Sequence, residues 1–184
     1  MREISLHILD IAENSVNGKA KNVMINVTEN TLADRLNISI EDDGVGMSPE
    51  MVARVTDPFT TSRTTRKVGL GLPLLKAAAE ACNGYLNITS TVNVGTKVEI
   101  EFQRSHIDRM PLGDLPCTIQ SLFIGFPTIH WVVNYAVDEK SFSFDSAPIM
   151  EQLDGCPLTE PAVLNFLQEY VESGINSIKP NDSY

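Results

Sequence analysis

The chain is poor in cysteine and in positive charge, and each shortage removes a class of function. Among 184 residues there are three cysteines, Cys82, Cys117 and Cys156, an odd number with no paired spacing, so neither a disulfide framework nor a thiolate metal site is written here. Cys82 falls among alanines on a helical stretch and reads as a small buried hydrophobe. Fourteen basic residues face 24 acidic ones, and a net charge of -10 repels phosphate backbones and anionic lipid. No apolar run approaches the length of a membrane span. The opening Met1 to His7 interrupts its apolar residues with charge and lacks the apolar centre of a signal peptide. The expectation is a cytoplasmic protein that binds neither nucleic acid nor membrane. There are no internal repeats and no G-x-x-x-x-G-K-[ST] phosphate loop. What remains is a chain that is 42% apolar, enough for one substantial core and a smaller appended unit.

Apolar periodicity supplies the elements. Residues 5–17 read as a helix with Ile8, Ile11, Ala12 and Ser15 on one face, Gly18 as its stop, and Asp10, Glu13, Asn14 and Asn17 as a polar stripe at i, i+3, i+4 and i+7. Val23, Ile25 and Val27 alternate as one strand and Leu36, Ile38 and Ile40 as a second that pairs with it. Ser48-Pro49 opens a short helix to Val55, with the proline where a missing N–H costs nothing. A loop rich in hydroxyl and basic residues follows over 57–68. A helix over 72–82 ends at Asn83-Gly84, and strands over 85–90 and 97–103 turn at Asn93-Val94-Gly95. The order predicts an α+β fold: a two-layer α/β sandwich with helices on one face of a mixed sheet. Residues 1–104 form that domain. Residues 105–184 are expected as a separate small α/β unit: a helix over 115–124, a hairpin about Asp138-Glu139-Lys140, and an amphipathic helix over 159–173 closed by Gly174. His130, beside Trp131, reads as a packed strand residue and not as a ligand.

Two glycine clusters point to chemistry. Asp43-Gly44-Val45-Gly46-Met47 directly follows the second strand, and Gly69-Leu70-Gly71-Leu72 opens a helix. Glycine lets backbone approach a ligand closely, and the free N–H groups at a helix start favour an anion. Each cluster alone also fits an ordinary turn or tight helix packing. Thr60 to Lys67, containing Thr61, Arg63, Arg66 and Lys67, concentrates cationic and hydroxyl groups in an acidic protein, as a solvated loop or as a cover over phosphates.

Taken in order, Asp10-Ile11-Ala12-Glu13-Asn14-Ser15, Asp43-Gly44-Val45-Gly46, Asp57-Pro58-Phe59, Gly69-Leu70-Gly71-Leu72 and Gly95-Thr96 resemble the boxes of the ATPase superfamily that unites gyrase, heat-shock chaperones, histidine kinases and mismatch-repair ATPases. The stretch from Asp57 to Lys76 is most similar to the histidine-kinase branch, and the resemblance covers residues 4 to 103. It implies ATP and Mg²⁺ as ligands. Asp43 would accept a hydrogen bond from the adenine amino group, Asn14 would hold the magnesium, and Thr96 would reach the base directly or through water. Gly44, Gly46, Met47, Phe59, Gly69, Leu70, Gly71 and Leu72 would line the nucleotide, beneath a lid that carries Thr61, Arg63, Arg66 and Lys67. Asp10 stands where hydrolysing members usually carry glutamate to orient water, and its shorter arm leaves two readings open. One is a kinase-like ATPase or protein kinase acting on a separate protein; the other is an ATP-gated regulatory binder with little turnover. A sensor kinase's phosphoacceptor helix is not expected ahead of the Asp10 to Asn14 box.

Overall fold

A computed structural model describes residues 3–55 and 71–178. The expected loop over 57–68, and with it Phe59, Thr61, Arg63, Arg66, Lys67, Gly69 and Leu70, lies outside the described residues.

In chain order the described elements are α1 (Ile4–Asn17), β1 (Asn22–Asn30), β2 (Arg35–Asp42), α2 (Pro49–Val55), α3 (Gly71–Ala81), β3 (Tyr85–Thr91), β4 (Gly95–Gln103), α4 (Leu115–Gly125), β5 (His130–Val137), β6 (Lys140–Asp145), α5 (Ser146–Leu153) and α6 (Pro161–Ile178). The strands form one sheet in the order β3-β4-β2-β1-β5-β6. Every neighbouring pair is antiparallel except β1 and β5, which run parallel. This is the expected α+β sandwich with a mixed sheet.

Strand alternation decides which face is covered. Val23, Ile25 and Val27, Leu36, Ile38 and Ile40, Val98, Ile100 and Phe102, and Trp131, Val133 and Tyr135 are all buried on one side, beneath α1, α3, α4 and α6. Each such side chain contributes about 1.5–3 kcal/mol relative to leaving it in water, so a one-residue slip of any strand would forfeit several of these terms at once. The opposite face carries Asn37 and a row of four side chains, Ser143, Asn134, Asn26 and Ser39, joined by bonds from Ser143 to Asn134 (2.7 Å), Asn134 to Asn26 (2.8 Å) and Asn26 to Ser39 (3.1 Å). His130 belongs to this polar face. It opens β5 as the expected strand residue, half-buried, with Nδ1 3.1 Å from the Asn22 amide oxygen and Nε2 2.8 Å from Asp145.

Residues 105–178 do not stand apart. β5 extends the sheet alongside β1, and α4 packs on α1 within one continuous apolar core. The connector after β4 also caps α1: the N–H groups of Ile4 and Ser5 donate to the carbonyls of Pro111 (3.0 Å) and Leu112 (2.8 Å), where the Glu3 side chain makes no cap. The boundary expected at 104 marks the end of the motif resemblance, with no break in sheet or core. Two further corrections concern helices. α5, capped by the Asp145 carboxylate on the Ala147 N–H (2.9 Å), was not anticipated. Gly174 does not close α6, which continues to Ile178; a Cβ there would collide with the Phe142 ring, so the glycine serves close packing inside the helix.

Candidate functional site

The glycine segment after β2 is shaped by the approach of three pieces of chain. The Gly18 carbonyl, just past α1, accepts the Val45 N–H (2.8 Å), and a Cβ on Gly44 would sit 2.7 Å from that same oxygen. Gly46 adopts φ +62, and a Cβ there would collide with the Thr91 carbonyl at the β3–β4 turn. The two glycines therefore bring the end of α1 and the β3–β4 turn against the end of β2. Tight packing of the chain on itself accounts for both.

Two consecutive carboxylates leave β2 on opposite sides. Asp42 continues the phase of Leu36, Ile38 and Ile40, so it enters the helix-covered layer. There its Oδ2 accepts the Ser15 hydroxyl of α1 (2.6 Å), and its Oδ1 accepts the Gly44 N–H (2.9 Å). Asp43 turns the other way and is exposed. Its Oδ1 accepts the N–H groups of Lys21 (2.7 Å) and Asn22 (2.9 Å), and its Oδ2 accepts the Asn22 amide (2.6 Å). Desolvation pushes the Asp43 carboxyl upward, but the Asn22 and Lys21 donors outweigh it and hold its pKa below the ordinary 3.8. The carboxylate expected to face the site is thus engaged in fixing the start of β1. The sequence carries a signal for this difference: position 42 shares the parity of the buried residues 36, 38 and 40, and position 43 does not.

Thr96 lies directly across from Asp42 in the β2–β4 register, on the same covered face as Val98 and Ile100. Its other neighbour is Ser90 of β3, whose Oγ is 2.8 Å from the Thr96 Oγ1. Ser90 also accepts the Met47 N–H (2.8 Å) and donates to the Gly95 carbonyl (3.0 Å). Ser15, Asp42, Thr96 and Ser90 thus form a row of polar groups at one end of an otherwise apolar layer. Met47, Gly44 and Gly46 adjoin this row. Asp10 and Asn14 lie one turn apart on α1, Asn14 exposed and Asp10 half-buried, and Asn14 immediately precedes Ser15. Gly71 and Leu72 open α3, which packs against α1.

A model of the histidine kinase-, DNA gyrase B- and HSP90-like ATPase family matches residues 2–106. The chain belongs to this family. It is similar to an NtrY-like sensor histidine kinase of Rickettsia bellii, 29% identical over 102 residues that make up 55% of this chain and 16% of that protein. It is also similar to the histidine protein kinase SaeS of Staphylococcus aureus, 32% identical over 88 residues, 45% of this chain and 25% of the relative. The chain therefore spans no more than a quarter of the length of either relative. Among solved structures, the N-terminal domain of a DNA repair protein shares the fold, with a TM-score of 0.52, 17% identity, and coverage of 79% of this chain and 52% of that one.

The chain thus carries an ATP-binding, histidine kinase-like ATPase module, and the polar row lies within the matched region. A hard cation in such a module would find little protein ligation. No group of three or more His, Cys, Asp or Glu side chains among the described residues is placed to hold a metal. The exposed amide of Asn14 supplies one oxygen of the kind that Mg²⁺ accepts, and Mg²⁺ completes its shell with water and phosphate oxygens. Among the described residues no helix is long and apolar enough to cross a membrane.

Proposed function

We propose that this chain is a Mg²⁺-dependent adenine-nucleotide module of the histidine-kinase type that acts on a separate protein, and that Asp42 recognises the base. One observation carries the assignment: the Asp42 carboxylate projects into the covered layer between Ser15 and Gly44 and beside Thr96, while the Asp43 carboxylate is committed to Lys21 and Asn22. Asp42 keeps lone pairs free to accept the adenine amino group, and a charge-assisted bond of this kind is worth about 1.5–3 kcal/mol. Asn14 would hold the cation on the triphosphate, and the start of α3 at Gly71 and Leu72 would receive phosphate oxygens at its unpaired N–H groups. By the motif resemblance, Phe59, Thr61, Arg63, Arg66, Lys67, Gly69 and Leu70 would contribute further contacts to the nucleotide. Asp10, one turn before Asn14, would position the group that attacks the γ-phosphate. The bound cation would supply neutralisation of phosphate charge.

Calorimetric titration of ATP with Mg²⁺ tests this directly. Asp42→Asn is expected to weaken binding by about one to two orders of magnitude, the worth of one charge-assisted bond. Asp43→Asn is expected to leave affinity nearly unchanged while lowering thermal stability. Equal affinities for the wild type and Asp42→Asn would overturn the assignment. The shorter arm of Asp10 keeps a second reading in play, an ATP-gated regulatory binder. That reading predicts tight binding with no phosphate release and no label transferred to a partner.

A further inference from the structure

The hydrogen positions in the polar row follow from counting protons. A serine hydroxyl has one proton to donate and two lone pairs to accept with. Ser90 Oγ makes three contacts: the Met47 N–H, which can only donate; the Gly95 carbonyl, which can only accept; and Thr96 Oγ1. All three are satisfied only if Ser90 spends its proton on Gly95 and receives the proton of Thr96. The Thr96 oxygen is then left with lone pairs alone. On the next strand, Asp42 takes both donors from the protein: Ser15 of α1, itself buried, donates into Oδ2 at 2.6 Å in preference to the Ile11 carbonyl at 3.4 Å, and the Gly44 N–H donates into Oδ1. Every proton in the row is thereby directed into the protein, and what Asp42 and Thr96 can offer a ligand is acceptors only.

We infer that Ser90 and Ser15 are positioning residues that set the polarity of the base-reading wall, making it accept an exocyclic amino group and reject an oxo group at the same place. The inference rests on the reading of Asp42 as the residue that meets the base. A 6-aminopurine presents N–H donors to this wall. A 6-oxopurine presents a carbonyl oxygen at that place against two acceptors, and its one neighbouring N1–H cannot serve both, which is the costlier mismatch in a partly desolvated site.

The measurement is the ratio of Kd values for ATP and ITP, which differ at the 6-position of the base, on the full chain with Mg²⁺. Ser90→Ala frees the Thr96 proton to point toward the ligand, so the preference for ATP is expected to narrow by roughly tenfold, about the net worth of one hydrogen bond. Ser90→Thr, which keeps the hydroxyl, is expected to retain the wild-type ratio. If Ser90→Ala does not fold, Thr96→Val serves instead: it removes the acceptor and is expected to narrow the ratio in the same direction. ATP binding with an unchanged ratio in the folded variants would overturn the inference while leaving the adenine-nucleotide reading standing. Failure of the wild type to bind ATP would overturn that reading, and the inference with it.

Discussion

At the scale of single residues, His7 shows how burial turns an ordinary side chain into a pH sensor of stability. It lies on the covered side of α1 at 4% exposure. Burial, reinforced by the positive amino terminus and partly opposed by Asp10, lowers its pKa below the usual 6.5. The folded state therefore favours the neutral ring, and the unfolded chain takes up the proton first as pH falls. Stability from this site is complete above pH 6.5 and is lost as pH drops through the folded-state value. Thermal unfolding is expected to show the wild type losing Tm between pH 7 and 5.5, with a shallower loss in His7→Gln. Parallel curves would remove His7 as the cause. The same scale holds the lesson of Asp42 and Asp43. Both follow an apolar alternation and both precede Gly44, yet strand parity sends one carboxylate to the helices and the other to the open side.

At the scale of elements, apolar periodicity together with cap and turn signals located every strand and five of the six described helices. Alternation is a direct imprint of one buried face, which is why β1, β2, β4 and β5 were legible from residue type alone. Helix ends were less so. Gly174 has the composition of a stop signal, but α6 carries its buried stripe of Val163, Leu167, Val171 and Ile175 past it to Ile178. The Phe142 ring occupies the place of a side chain at 174, a contact between residues far apart in sequence. Gly174→Ala is expected to cost about 1–3 kcal/mol by overpacking, although alanine is the better helix former. Denaturant titration checks the sign, since helix propensity acting alone would stabilise the variant.

At the scale of the whole molecule, the C-terminal residues complete the sheet that holds the site. β1, which starts at the Lys21 and Asn22 donors for Asp43, lies between β2 and β5. At the far end of the same two strands, Glu29 accepts the Tyr135 hydroxyl (2.7 Å) and pairs with Arg104 (2.7 Å). Burial first, then the Glu29 carboxylate, hold the Tyr135 phenol well above its ordinary pKa. A fragment ending at Arg104 would expose the β1 edge and uncover the side of α1 on which α4 now packs. It is expected to show no cooperative thermal transition by circular dichroism and no ATP binding. A fragment that unfolds cooperatively near the Tm of the full chain would restore two independent units.

What the sequence determined by itself was local: which segments alternate, where glycine clusters fall, and a motif order that named the ATPase family, because these depend on residue type and spacing along one segment. Tertiary structure decided which of two adjacent aspartates meets the helix layer, that Ser15, Ser90 and Thr96 gather at one end of that layer, and that residues 105–178 share the sheet of the motif-bearing half. Those outcomes depend on contacts between strands and helices distant in the chain, and no local pattern encodes which partner arrives.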